Sequence, residues 1–213
     1  MTKGKSLTDI YKASFLIIIF LVYTIFLPSA PNVAKIIIDI LVLLVAIYLF
    51  KDDLKEEGGI FKKKIGFNIK WVIISFVLIF AIQIITGALL ENLFNILPPS
   101  KDGQLALFRQ APVYLFFSML IFSPIVEELT FRKSFRKLIK NKVLYVLLSS
   151  VIYGALYVIF SAGENISYLF IVSYSLIAMV YPILYLKTNN IYAPMILHVL
   201  QNIFGIIALL TVL

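Results

Sequence analysis

About seven apolar stretches divide this chain, near residues 10–28, 33–50, 71–90, 112–130, 143–160, 166–186 and 191–213. Each is close to the ~20 residues that a helix needs to cross a ~30 Å hydrocarbon core. Little else is left to fold: 62% of the 213 residues are hydrophobic, 14% are charged and the mean hydropathy is +1.01. That is too little polar surface to clothe a water-soluble globule. The expected fold is therefore all-α, a polytopic membrane bundle read as one structural unit. Residues 1–111 carry the N-terminal helices and a basic loop, and residues 112–213 carry a core with the polar motifs. The first stretch resembles a signal peptide, but no small-residue cleavage site follows Ile10 to Leu27 and Pro28 ends the run, so it is expected to be retained.

Lys and Arg sort the loops into two sets. Lys3, Lys5 and Lys12, six residues between Lys51 and Lys70, six between Arg132 and Lys142, and Lys187 fall in alternate loops; Lys35, Lys101 and Arg109 fall in the others. The positive-inside rule then puts the N-terminus in the cytoplasm. Lys62, Lys63 and Lys64, beside Ile60, Phe61, Ile65 and Phe67, have the make-up of an interfacial stretch that lies on anionic lipid headgroups. The same residues equally suit an ordinary solvated loop. The abundance of Ile, Lys and Asn suggests an AT-rich genome, so the expected location is a bacterial cell membrane.

The absence of cysteine excludes disulfides, thiolate zinc sites and cysteine nucleophiles, and a single histidine excludes a zinc site with three nitrogen or sulfur ligands. No metal, cofactor or nucleic-acid partner is expected. Chemistry falls instead to acids in the apolar segments. Glu127 and Glu128 stand together in FSPIVEELTFRKSFRK, where an unpaired acid costs several kcal/mol. Arg132 follows Glu128 by four residues, on the same helix face, so these two are expected to form a structural pair; Glu127 points about 100° away and is left free.

Helix rise then relates separate spans in depth. At ~1.5 Å per residue, Glu127 lies roughly 20 Å in from the outer start of the fourth span, while His198 and Asn202 lie roughly 10 and 16 Å in from the cytoplasmic start of the last. Acid, imidazole and amide are thus expected in one cavity. Tyr153 and Tyr157, four apart on the fifth span, need partners for their hydroxyls and can find them there. Pro124 either loosens the helix and frees carbonyls beside the acids or only kinks it. Asp39 is expected to pair with Lys35, and Gln83 to hydrogen-bond between helices.

These residues carry a family resemblance. EELTFR at 127–132 resembles the EExxxR signature, and HVLQN at 198–202 the HxxxN signature, of the CAAX prenyl endopeptidase and bacteriocin-processing (Abi-domain) intramembrane proteases. SSVIYGALY at 149–157 is similar to their middle motif, FxxxH, except that Tyr157 stands where active members have histidine. The resemblance implies Glu127 as general base for a water attacking a peptide bond, His198 as partner of the water or oxyanion, and Asn202 as amide donor. Tyr157 can donate a hydrogen bond, but a phenol, ordinarily titrating near ~10, does not share base duty near neutral pH. Two functions stay open. One is an endopeptidase acting on a peptide or small membrane protein. The other is a catalytically impaired scaffold, bacteriocin-immunity or regulatory protein that binds a membrane partner. A transporter would be expected to show an internal repeat, and none is visible.

Overall fold

The computed structural model describes residues 7–27, 32–96, 102–161 and 168–211. Lys3, Lys5 and Lys101, and the outermost residues of the first, sixth and seventh expected spans, lie outside them. Regular structure among the described residues is all helical: α1 (Leu7–Phe26), α2 (Asn32–Lys63), α3 (Ile65–Phe94), α4 (Asp102–Gln110), α5 (Pro112–Leu138), α6 (Lys142–Ser161), α7 (Phe170–Thr188) and α8 (Tyr192–Leu210).

Six of these, α1, α3, α5, α6, α7 and α8, are long and apolar enough to cross a membrane. The remaining expected span, 33–50, is the first part of α2. That helix kinks at Phe50 (φ −111°, ψ 15°), where the apolar run ends, and continues to Lys63 through a charged segment. The basic loop expected here is thus mostly helix, as its Lys, Glu and Leu residues favour, and Lys64 alone separates α2 from α3.

Two buried clusters organise the bundle. Leu16 and Phe20 of α1, Ala46 and Phe50 of α2, and Val126, Leu129 and Phe131 of α5 share the first. Val72 and Ile79 of α3, Leu184 of α7 and Leu197 of α8 belong to the second. Large apolar side chains such as Ile18, Ile73, Leu93, Val143 and Ile207 point outward, as they do where lipid is the solvent. At the α6–α7 crossing a Cβ on Gly154 would stand 2.5 Å from Ser175 Oγ and 2.7 Å from Ser175 N, so only glycine permits this approach.

The basic segments meet at one end. Lys137 Nζ contacts Asp9 of α1 at 2.7 Å and Asp53 of α2 at 2.8 Å, and Lys133 Nζ contacts Asp53 at 2.9 Å and also Glu57. Glu57 Oε2 accepts the Ile191 N–H at 2.5 Å ahead of α8, and the Asn190 side chain donates to the Glu57 carbonyl at 2.6 Å. The tail of α2 therefore meets the end of α5 and the start of α8, and Lys137 joins the start of α1 to them, the arrangement that the alternating charge of the loops implies.

Two expectations are corrected. Asp39 is fully buried and accepts hydrogen bonds from Tyr23 and Tyr114, both at 2.9 Å, rather than forming an ion pair with Lys35. Phenols from α1 and α5 reach it inside the bundle, and their hydrogen bonds offset its desolvation. Gln83 faces outward, and the hydrogen bond between helices is made one turn on, between Thr86 and Ser173.

Candidate active site

The site is built on irregularities of α5. Ordinary helix over Pro112–Phe117 gives way to a π turn at Ser118–Phe122, then to α-helix at Ser123–Glu128 and a second π turn at Leu129–Ser134. Proline in a helix interior removes a donor and crowds the carbonyl four residues earlier, and Pro124 sits two residues beyond the first π turn. Such turns recur at functional sites. Here they present Ser123 and Glu127, four residues apart, towards α8.

His198 lies at the centre. Its Nδ1 is 3.0 Å from Glu128 Oε1, and its Nε2 is 3.5 Å from Ser123 Oγ and 4.0 Å from Glu127 Oε2. The Ser123 hydroxyl donates to Glu127 Oε1. A carboxylate on Nδ1 favours the tautomer with its proton there, which leaves the Nε2 lone pair facing Ser123 and Glu127. The adjacent acids are thus set apart. Glu128 is fully buried and also pairs with Arg132, Nε to Oε2 at 3.1 Å, at the expected spacing, whereas Glu127 keeps partial exposure. Arg132, itself fully buried, lies over the rings of Tyr153 and Tyr181, 5.3 and 5.0 Å from their centroids. Such faces suit a desolvated guanidinium.

The other expected members are placed differently. The Asn202 amide donates to the Met119 carbonyl at 2.6 Å. Tyr157 packs on Tyr174 with ring centroids 4.3 Å apart. The phenol within hydrogen-bonding reach of Glu127 is Tyr153, one turn earlier. Two contributors escaped sequence reasoning. Ser123 was detectable as the residue four before Glu127 on the same face. Tyr181, edge-on to His198 with centroids 5.6 Å apart and bonded to Gln201, had no sequence signal beyond being a buried phenol. Among the described residues no group of three or more acidic and imidazole side chains is arranged to hold a metal ion.

Fold and site together define a multi-pass membrane protein with a buried glutamate–histidine centre in the bundle. Residues 109–204 match the model of the family described as type II CAAX prenyl endopeptidase Rce1-like, the resemblance read from the two motifs. Relatives include the membrane-embedded CAAX protease MroQ of Staphylococcus aureus (strain USA300), 25% identical over 146 residues, which are 65% of this chain and 57% of that protein. YdiL of Bacillus subtilis (strain 168) is 28% identical over 151 residues, 68% of this chain and 58% of its own length. The UPF0177 protein YvdC of Lactococcus lactis subsp. lactis (strain IL1403) is 28% identical over 139 residues, 64% of this chain and 51% of that protein. The chain therefore spans between half and three-fifths of the curated relatives it matches. No solved structure matches it significantly.

Proposed function

We propose that this protein is an intramembrane endopeptidase in which Glu127 activates water to cleave a peptide or small membrane protein. The observation that carries the reading is the unequal environment of the two acids. Glu128 is committed to Arg132 and to His198 Nδ1, while Glu127 stands beside His198 Nε2 with some exposure. In this mechanism Glu127 takes a proton from the attacking water, the hydroxide adds to the peptide carbon, and the same proton passes to the nitrogen as the C–N bond breaks. The Ser123 and Tyr153 hydroxyls, both next to Glu127, are the donors best placed for the developing oxyanion. The name of the staphylococcal relative supports a protease, and the two motifs lie within the matched segment.

The competing reading is a scaffold or immunity protein that binds a membrane partner. Tyr157 favours it, since that phenol replaces an imidazole and is taken up by Tyr174. Glu127→Gln keeps shape and removes the base: in cells, loss of processing of membrane peptides at normal protein levels supports the endopeptidase, and full function supports the scaffold. Anionic lipid is proposed as a second partner, because Lys62, Lys63 and Lys64 are exposed beside exposed Ile65 and Phe67 at the basic end. Reconstitution with and without phosphatidylglycerol tests this; activity or stability indifferent to the lipid overturns it.

A further inference from the structure

We infer that Asn202 is a positioning residue that caps a backbone carbonyl left without a helical donor by Pro124. In an α-helix the Met119 carbonyl would accept from the N–H of Ser123, but in the π turn that N–H bonds the Ser118 carbonyl instead. The next π partner for Met119 would be the N–H of residue 124, and Pro124 has none. Neither helical register offers the Met119 carbonyl a donor. A carbonyl left unpaired away from water is expensive, and Asn202 Nδ2 meets this one at 2.6 Å.

The cap does more than satisfy an atom. Asn202 lies one turn beyond His198 on α8, and Met119 lies one turn before Ser123 on α5, so the contact fixes how far the two helices are shifted along each other. With it in place, the next turn brings His198 Nε2 to 3.5 Å from Ser123 Oγ and 4.0 Å from Glu127 Oε2. Pro124 and Asn202 thus form a lock and its key, on two helices, that sets the register of the site. This rests on the endopeptidase reading only for its consequence in catalysis; the lock itself is a matter of structure.

The test is a double-mutant cycle on the full chain in detergent, read first as melting temperature. Asn202→Ala should lower it by roughly 3 to 6 °C in the otherwise native protein. In a Pro124→Ala background the backbone N–H returns to residue 124, so the same substitution should cost less than half as much. If Asn202→Ala alone does not accumulate, recovery of folded protein in the double variant is the expected rescue. An equal fall in both backgrounds, or no recovery of folded double variant, overturns the inference. Where cleavage can be followed, Asn202→Ala should reduce kcat about tenfold and Pro124→Ala should restore part of it; a loss of the same size in both backgrounds makes Asn202 a direct donor to the reaction and refutes its positioning role. Repeating the melting cycle in Glu127→Gln keeps the structural result independent of whether the chain is a protease.

Discussion

Glu128→Gln isolates the charge at the heart of the bundle. The native carboxylate is fully buried and holds Arg132 Nε at 3.1 Å and His198 Nδ1 at 3.0 Å on its two oxygens. Glutamine keeps the shape and can still accept one of those contacts, but it strands a guanidinium with no accessible surface among aromatic rings. Those ring contacts exist before the substitution as well, so they recover nothing. Removing one partner of a buried pair costs about 3–5 kcal/mol; the retained hydrogen bond puts the expectation at the lower end, about 3 kcal/mol. For a chain of this size that is a fall of roughly 6 to 12 °C in melting temperature. Scanning fluorimetry of both proteins in one detergent measures it, with exposed Lys55→Gln as the control for handling. Replacing both partners, Glu128→Gln with Arg132→Met, should recover at least half of the drop, because no lone charge remains. A Glu128→Gln protein that melts within about 1 °C of the native one would refute the argument that this pair is what makes the acid tolerable in the bundle.

Three further outcomes are expected. Burial would raise the Asp53 carboxyl, but Lys133 and then Lys137 outweigh it and hold it below its usual range; a lowered folded value adds stability that is fully present above the unfolded value near ~3.9 and is lost as pH falls through the folded one. Melting temperature should therefore drop below about pH 4, and Asp53→Asn should flatten that limb; equal acid slopes would count against the clamp. Gly154→Ala should destabilise by about 1–3 kcal/mol through the backbone of Ser175, and chemical denaturation that finds no change would refute the need for glycine at the α6–α7 seam. Tyr157→His should raise cleavage measurably by returning an imidazole, which titrates near ~6.5, to the neighbourhood of Glu127; unchanged or lower cleavage would show that the phenol is not what limits the rate.

What could be read in the sequence divides by the range of the physics involved. Glu128 and Arg132 were legible as partners because both lie on one helix four residues apart, where geometry is nearly fixed. The common depth of Glu127 and His198 was legible because a bilayer gives every span the same ruler. The direction of Asn202 was not, since it depends on a carbonyl that is free only in a π turn. Tyr153 and Tyr157 looked equivalent in sequence, but the close packing allowed by Gly154 gives one of them to Tyr174 and leaves the other to the acid. Asp39 was misread for a related reason: a lysine one turn away is visible in sequence, whereas two tyrosine hydroxyls from 16 and 75 residues away are not.

The two π turns of α5 also bear on how its relatives should be aligned. Each such turn accommodates one residue more than an α-helical turn, so a helical wheel drawn over 112–138 as though the helix were regular drifts by about 100° at each one. A single-residue insertion or deletion between two homologues in this stretch can be taken up at Ser118–Phe122, leaving the face that carries the acids where it was. Gap placement in such comparisons belongs there, ahead of the proline, and not inside the glutamate motif.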